Sequence, residues 1–378
     1  MKICVRFLCI ILIATMQFSA SAQSEVKIDA KSAILIEFET GEVLLEQNPD
    51  EMLPIASVTK VMTMLLAMEA LQSGKISIED EVMTSEFAAS MGGSQVFLEP
   101  GEKMSLHDIL KAVAVASGND ASVALSEHIS GSEGAFVNDM NARAGELGML
   151  GSSFKNCNGL DEDGHYSTAH DVATATRELL KHKKILEYTT IWMDSLRNGE
   201  FGLSNTNRLI RFYDGALGVK TGSTSKAKFC LSAAAERNGL TLISVVLGAD
   251  TSDERFNTAT RLLDYGFANY AVASAIGQGD AVGVVMVKKG KQPTLDIVAG
   301  SDYKKLLPKG EQSQIEQKIS LYTDIAAPII EGQKLGEIIF TINGEEIGKV
   351  DAVAKTNVLR LTLFEVYARL LKQWSVGG

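Results

Sequence analysis

The most informative part of this sequence is Pro54-Ile55-Ala56-Ser57-Val58-Thr59-Lys60, which is followed by the apolar run of residues 61–71. The run consists of good helix formers and ends just before Gly74, so it predicts one helix of about four turns. That helix is apolar nearly all round, which indicates that it lies inside the protein. Ser57 falls at its N-terminus, where free backbone N–H groups and the helix dipole favour negative charge. Lys60 follows three residues later on the same face and can therefore reach the serine hydroxyl.

Two further polar motifs follow along the chain. Ser117-Gly118-Asn119 comes after the apolar stretch 109–116, and we expect it to close a buried helix and to hold its polar side chains at a fixed interior point. Lys220-Thr221-Gly222 lies in a stretch of strand character, residues 216–222. Ser-x-x-Lys alone is a weak signal, because a capping serine and a snorkelling lysine give the same spacing. Three such motifs in this order are a strong signal.

The three motifs resemble those of the low-molecular-mass penicillin-binding proteins that act as serine-type D-alanyl-D-alanine carboxypeptidases. Gly159-Leu160-Asp161 and the segment 165–169 lie between the motifs, and the similarity covers roughly residues 27–270. The resemblance implies an α/β (α+β) fold of the penicillin-binding/β-lactamase-like type, with an antiparallel sheet and a helical layer, followed by a small all-β domain. Ser223 departs from the family pattern, since larger residues such as histidine are familiar there in relatives. This departure affects substrate detail and not the reaction class.

The residue types themselves support acyl transfer through a serine. A serine hydroxyl is a poor nucleophile until a neighbouring base removes its proton. The motifs contain no histidine, so Lys60 is the natural base for Ser57, provided that its pKa falls well below about 10.4. Burial and the positive charge of Lys220 both lower that pKa. Ser117 can relay a proton between the amine and the leaving group, and Asn119 can hold Lys60 and the substrate amide.

The third motif is suited to a substrate carboxylate. Lys220, Thr221 and Ser223 offer a cation and hydroxyl groups, with Gly222 between them. In the family, the oxyanion hole consists of the backbone N–H groups of the nucleophile and of the residue after Lys-Thr-Gly, which correspond here to Ser57 and Ser223. The resemblance implies attack on the amide between the two terminal D-alanines of a peptidoglycan stem peptide, release of the last one and hydrolysis of the acyl-enzyme. It also implies that β-lactams acylate Ser57.

Three alternative functions share part of this sequence pattern. A class A β-lactamase shares the serine, the lysine and Lys-Thr-Gly, but its Glu-x-x-Leu-Asn motif is absent from this sequence. A non-catalytic penicillin-binding wall protein held at the membrane by its tail is disfavoured because all the polar groups of the site are present. A DD-endopeptidase that cuts cross-links is a closer variant, which the sequence leaves open.

The first 22 residues have the features of a secretory signal peptide. A basic start precedes an apolar core, residues 7–16, that is too short to span a bilayer comfortably, and Ala20-Ser21-Ala22 supplies the small residues of a cleavage site. We therefore expect an exported protein, located in the periplasm or on the cell-wall side and peripheral on the cytoplasmic membrane. A retained N-terminal anchor is the alternative, which Gln17 and Ser19 disfavour because they interrupt the apolar run early.

Removing 22 residues from 378 leaves about 356, more than one small core needs. Residues 23–273 are expected to form the DD-carboxypeptidase domain, whose sheet is made from both ends of the domain, with helices inserted between two hairpins. Asn238-Gly239 predicts the turn of the second hairpin, Ser105 the start of a helix, and Thr251 with Glu254 a capping box. Residues 274–358 alternate in short segments broken by glycine, which predicts a small β-rich domain. Residues 359–378 form a predicted amphipathic tail helix that can lie on a membrane or dock on its own domain. Its apolar face carries Leu363, Val366, Tyr367, Leu370, Leu371 and Trp374.

The net charge and the spacing of histidines and cysteines argue against nucleic-acid-binding and metal-dependent classes of protein. The chain has 36 basic and 47 acidic residues, and loss of Lys2 and Arg6 with the signal lowers the net charge from −11 to about −13, so nucleic acid is an unsuitable partner. No His/Cys cluster has metal-ligand spacing in the sequence, and we predict no metal and no cofactor. Cys157 and Cys230 are left after cleavage, and we favour two buried thiols over one disulfide.

Overall fold

The computed structural model describes residues 26–376. The signal peptide expected over residues 1–22 therefore lies outside the described residues. In chain order, the helices are α1 (Lys60–Gln72), α2 (Glu86–Ala89), α3 (Leu106–Ala114), α4 (Asn119–Ser130), α5 (Glu133–Glu146), α6 (Ala169–Lys181), α7 (Leu186–Thr189), α8 (Leu209–Phe212), α9 (Ser252–Asn269) and α10 (Leu363–Val376). The strands are β1 (Ser32–Glu37), β2 (Val43–Gln47), β3 (Glu81–Met83), β4 (Lys103–Ser105), β5 (Met193–Leu196), β6 (Phe201–Ser204), β7 (Ala216–Thr224), β8 (Lys228–Arg237), β9 (Leu240–Ala249), β10 (Tyr270–Ile276), β11 (Ala281–Lys288), β12 (Thr294–Ala299), β13 (Tyr303–Pro308), β14 (Glu316–Leu321), β15 (Ile325–Ala326), β16 (Lys334–Ile342) and β17 (Glu345–Ala354).

The first domain is built on a five-stranded antiparallel sheet with the strand order β2-β1-β9-β8-β7. The N-terminal hairpin β1–β2 joins the later strands through pairing of β1 with β9, so the predicted sheet from both ends of the domain is confirmed. Asn238 and Gly239 turn β8 into β9 with φ of 52° and 77°, the left-handed values that a two-residue hairpin needs. β7, which carries the third motif, is an edge strand of this sheet.

Helices cover both faces of the sheet. The larger apolar core lies between one face and the helical layer that contains α1, α3, α4 and α6, whereas α9 packs on the other face. α9 begins with the predicted capping box, in which the Thr251 hydroxyl accepts from Glu254 N and the Glu254 carboxylate accepts from Thr251 N. The helical layer thus brings the start of α1 against the edge strand β7, and the start of α4 against Lys60.

The segment 54–71 forms the buried helix that its composition predicts, with one difference. Residues Ala56–Thr59 form a 3-10 turn, and the α-helix α1 begins only at Lys60. Nine residues of α1 are buried, among them Lys60 itself, so the helix runs through the core. Ser57 therefore lies on a tight turn at the end of a buried helix, with its side chain half-exposed.

The second motif differs from the prediction in its position. α3 begins at the predicted cap, where the Ser105 hydroxyl accepts from Asp108 N. It ends at Ala114, however, and Ser117 then takes a left-handed backbone with φ of 61°. Asn119 consequently opens α4 instead of closing α3, which corrects the expectation of one helix end.

The C-terminal part is an all-β module followed by the tail helix. Its main sheet has the strand order β14-β16-β17-β12-β11-β15, and β10 pairs separately with β13. α10 lies beside the turn after β11, where Glu365 forms an ion pair with Lys291 at 2.7 Å. In the region that the structure covers, none of the helices has the length and hydrophobicity needed to cross a bilayer.

Candidate active site

Two glycines allow the chain to close tightly around Ser57. A Cβ atom on Gly222 of β7 would lie 2.7 Å from the Ile55 oxygen and 2.8 Å from the Ser57 nitrogen. A Cβ atom on Gly159 would overlap the Ala56 carbonyl group, and Gly159 has φ of 87°, a conformation that favours glycine. The third motif and the 159 loop therefore pack directly against the backbone of the turn that carries Ser57.

Lys60 is fully buried below the serine. Its Nζ lies 3.0 Å from the Ser57 Oγ, 2.6 Å from the Asn119 Oδ1 and 2.7 Å from the Asn158 carbonyl oxygen. Burial lowers the pKa of Lys60 from 10.5 to about 7, because the nearby Asp120 carboxylate offsets the desolvation of the amine only in part. A neutral amine has two N–H groups and one lone pair. The geometry accommodates that form, with N–H donated to Asn119 and Asn158 and the lone pair directed at the Ser57 hydroxyl.

The second motif places an unpartnered hydroxyl and an amide in the same interior. Ser117 is buried in its left-handed conformation, and its Oγ has no hydrogen-bond partner within the described structure. Buried hydroxyls normally form hydrogen bonds, and among the described residues the Ser117 Oγ is free of protein partners that would compete with a ligand or a proton. Asn119 accepts from Lys60 and donates through Nδ2 to the Gly92 oxygen at 2.7 Å. The amide orientation is thereby fixed, with its oxygen on the lysine.

The third motif adds a second buried amine. The side chain of Lys220 is buried, and its Nζ donates to the Thr221 carbonyl oxygen at 3.0 Å. Burial lowers the pKa of Lys220 well below its usual value, and repulsion from Lys60 and Arg255 lowers it further. The Thr221 hydroxyl donates to the Thr206 Oγ1 at 2.6 Å, while Ser223 is exposed. For Lys60 itself burial is the largest cause of the lowered pKa.

His165 is a structural residue of the loop. It is buried and not at the rim, its Nε2 lies 2.7 Å from the Thr59 hydroxyl, and its Nδ1 accepts from Lys155 N. Burial lowers the pKa of His165 to about 4, so the ring is neutral near pH 7. The polar, glycine-bearing composition of residues 158–169 predicts a loop here, and the two bonds of the ring hold that loop in place. His165 links the loop to the turn that carries the nucleophile.

Three contributors to the site were missed by sequence reasoning. The Asn158 carbonyl accepts from Lys60, Thr206 accepts from Thr221, and Arg255 donates to the Gly222 oxygen at 3.2 Å and the Cys230 oxygen at 3.3 Å. None of these residues belongs to a motif, and each contact joins segments that are distant in sequence. The polar composition of residues 158–164 was the only available signal, and it pointed to a loop.

The two remaining cysteines are separate from the catalytic motifs. Cys157 and Cys230 are both buried and free, as predicted. Among residues 26–376, no cluster of three or more His, Cys, Asp or Glu side chains is arranged to hold a metal ion. Burial raises the pKa of the Cys157 and Cys230 thiols, which keeps both protonated.

Comparison with known families and relatives agrees with this geometry. The Peptidase S11 family, D-alanyl-D-alanine carboxypeptidase, matches residues 16–251, and the family of the penicillin-binding protein 5 C-terminal domain matches residues 270–360. D-alanyl-D-alanine carboxypeptidase DacF of Bacillus subtilis is 46% identical over 356 residues, covering 93% of this chain and 92% of the relative. DacC of Escherichia coli is 33% identical over 356 residues, covering 92% and 89%.

Solved structures share the whole architecture. Penicillin-binding protein 5 from Haemophilus influenzae is similar with a TM-score of 0.72 at 30% identity, covering 88% of this chain and 98% of that one. PBP3 from Streptococcus pneumoniae gives 0.74 at 29% identity, covering 88% and 100%. The expected fold, an antiparallel sheet with helices and a following all-β domain, is confirmed. The chain belongs to the Peptidase S11 family and is a serine-type D-alanyl-D-alanine carboxypeptidase of the penicillin-binding protein class.

Proposed function

We propose that this carboxypeptidase removes the terminal D-alanine from peptidoglycan stem pentapeptides through an acyl-enzyme on Ser57, with Lys60 as the base. The observation that carries the proposal is the position of Lys60, which is fully buried with its Nζ 3.0 Å from the Ser57 Oγ. With a pKa of about 7, a large share of Lys60 is neutral at neutral pH and can accept the serine proton. The serine oxygen then attacks the carbonyl carbon of the D-Ala-D-Ala amide.

Ser117 is suited to pass the proton onward. Its Oγ is buried and unpartnered, so it can accept from the Lys60 ammonium and donate to the nitrogen of the departing D-alanine. Asn119 keeps Lys60 in place through its Oδ1. The backbone N–H groups of Ser57 and Ser223 are the proposed donors to the oxyanion, and each such donor typically lowers the barrier by about 3 kcal/mol. Lys60 then activates the water that hydrolyses the acyl-enzyme.

Lys220 and its neighbours are the proposed site for the substrate carboxylate. The amine is buried without an acidic partner, so its charged form is unfavourable in the free enzyme. A carboxylate that enters next to it favours the ammonium form and completes a charge-assisted hydrogen bond. Thr221 and the exposed Ser223 add hydroxyl groups on the same strand. This chemistry selects a peptide that ends in a free carboxylate.

β-Lactams are the proposed inhibitors, because their strained amide and carboxylate present the same two groups to Ser57 and Lys220. Penicillin-binding protein D2 from Listeria monocytogenes has been solved in an ampicillin-bound form. It is 32% identical to this chain with a TM-score of 0.59, and the match covers 64% of this chain and 99% of that one. That likeness supports acylation of Ser57 by the same class of compound.

The decisive experiment measures free D-alanine released from a stem pentapeptide that ends in D-Ala-D-Ala. The protein from Gln23 onward should release it, whereas Ser57→Ala and penicillin-treated enzyme should not. Ser73→Ala, at the exposed end of the same helix, is the matched control and should retain full activity. Acylation of Ser57 by labelled penicillin without D-alanine release would refute the carboxypeptidase step, and release from cross-linked dimers would then identify an endopeptidase.

We also propose that the protein is exported and that α10 contacts the surface of the membrane. Leu363, Phe364 and Tyr367 of α10 are 92%, 80% and 62% exposed, while Glu365 is held by Lys291, so the apolar side chains face away from the domain. The protein from Gln23 onward should co-sediment with vesicles of anionic phospholipid. The double variant Phe364→Glu, Tyr367→Glu should stay in solution with unchanged D-alanine release, and equal sedimentation of both proteins would refute membrane contact through α10.

A further inference from the structure

The segment Gly92–Leu98 forms one wall beside Asn119 and has no regular secondary structure. The Asn119 Nδ2 donates to the Gly92 oxygen and the Asn119 backbone N–H donates to the Ser94 oxygen, both at 2.7 Å. The Asp120 carboxylate accepts from Val96 N at 3.0 Å and from Leu98 N at 3.1 Å. The orientation of the Asn119 amide, and with it the acceptor for Lys60, therefore depends on where this segment lies.

Arg197 holds the far side of that segment. Its Nη1 donates to the Val96 oxygen and its Nη2 to the Phe97 oxygen, both at 3.0 Å, and its Nε donates to the Glu102 carboxylate at 2.8 Å. A guanidinium group can make these three bonds in one plane, which an ammonium group cannot. Phe97 has φ of 55°, an unfavourable conformation for a bulky residue that persists only where its surroundings hold it. Arg197 bonds the carbonyl group of that strained residue.

Arg197 belongs to a hairpin that also reaches the opposite wall of the site. β5 and β6 flank Arg197, and Lys111 of α3 donates to the Ser195 oxygen within the hairpin. Immediately after β6, Thr206 accepts from the Thr221 hydroxyl at 2.6 Å and donates through its backbone N–H to the Val115 oxygen. One short hairpin thus joins the Lys-Thr-Gly strand to the segment that orients Asn119.

We propose that Arg197 is a positioning residue for the reaction. By holding Val96 and Phe97, it fixes the segment 92–98 against Asn119 and keeps that wall at a set distance from Thr221. Loss of this hold displaces the Asn119 amide and weakens the alignment of Lys60 with Ser57, which slows acylation. This inference rests on the proposed function, since it assigns Arg197 an effect through Asn119 and Lys60.

The test measures acylation of Ser57 by labelled penicillin over a range of penicillin concentrations. This separates the acylation rate constant from the affinity of the non-covalent complex that forms first. Arg197→Ala should lower the rate constant about tenfold with little change in affinity, since misplacement of a catalytic group acts on the chemical step. Arg197→Lys should recover only part of the rate. Arg261→Ala is the matched control, because Arg261 also donates to a carbonyl oxygen, that of Lys27, and to a carboxylate, that of Asp29. This variant should be acylated at the wild-type rate.

A double-mutant cycle separates positioning from general destabilisation. If Arg197 acts through Asn119, then Arg197→Ala in an Asn119→Ala background should change the slow residual rate less than about twofold. A multiplicative loss in the double variant, or a wild-type rate constant in Arg197→Ala, would overturn the proposal. A wild-type protein that does not acylate at Ser57 would instead refute the proposed function itself, and the role of Arg197 with it.

Discussion

The pH dependence of acylation provides the most direct test of the lysine at the centre of the site. Lys60 can accept the serine proton only when its amine is neutral, and burial lowers its pKa to about 7. At pH 7 roughly half of such an amine is neutral, against about 3 in 10,000 for an ordinary lysine. The lowered pKa thus raises the concentration of neutral Lys60 amine at pH 7 about a thousandfold over that of an ordinary lysine.

The acylation rate constant should therefore rise with pH and level off above about pH 7. Below that pH, each further unit of acidity should slow acylation about tenfold, because the neutral fraction falls in proportion. Stopped-flow or gel-based detection of labelled penicillin on Ser57, between pH 5.5 and 9.5, measures this profile. Thermal unfolding recorded at each pH identifies any loss of rate that comes from unfolding.

A histidine is the usual alternative source of a transition near pH 7. His165 is the histidine bonded to the nucleophile-bearing turn, but burial lowers its pKa to about 4. His165→Gln should consequently preserve the midpoint near pH 7. A profile that is flat between pH 5.5 and 9.5 would refute Lys60 as the base, as would a midpoint that disappears with His165. A rate that still rises tenfold per unit at pH 9.5, as for an ordinary lysine, would refute the lowered pKa.

Three further predictions concern stability and packing. Ser117→Gly removes the proposed proton relay, so the acylation rate should fall at least tenfold. The thermal midpoint should not fall, because the variant also loses an unpartnered buried hydroxyl and glycine adopts the left-handed backbone readily. A lowered midpoint would contradict this account. Gly222→Ala should cost about 1–3 kcal/mol of stability and most of the acylation rate, because its Cβ would meet the Ile55 and Ser57 backbone. Gly145→Ala, in helix α5 with open space around it, is the control: calorimetry should show equal or slightly higher stability, and acylation should be unchanged. Thr251→Ala should lower the free energy of unfolding by about 1 kcal/mol in a denaturant titration with unchanged D-alanine release, and an unchanged midpoint would show that the cap is dispensable.

Local signals in the sequence were sufficient for much of the fold. The run of helix formers after Ser57, the Asn238-Gly239 turn and the capping box at Thr251 each act over a few residues, and the structure contains the helix, the hairpin and the cap that they predict. The burial of Lys60 is also predicted locally, because Lys60 belongs to a helix that is apolar nearly all round. These features depend on short-range periodicity and turn chemistry, which a single sequence records directly.

Features that depend on contacts between distant segments could not be read in this way. The sequence placed Asn119 at the end of one helix, whereas the left-handed Ser117 ends that turn and lets Asn119 begin the next helix. A left-handed serine has no composition signal, because the surrounding structure imposes it. The burial of His165 and the contact of Arg255 with Gly222 likewise arise from packing between segments. Their role in the site became visible only with the coordinates.

The two buried amines also couple the folding of this protein to protons. In the unfolded chain, Lys60 regains an ordinary pKa near 10.5, so above about pH 7 the unfolded state binds more protons than the folded state. The free energy of unfolding therefore increases with pH between about 7 and 10.5. The lowered pKa of Lys220 adds to this increase. Folding in this range should release protons to the buffer. Calorimetric enthalpies of unfolding should accordingly vary with the ionisation heat of the buffer, and the chain should be more stable at pH 9 than at pH 7.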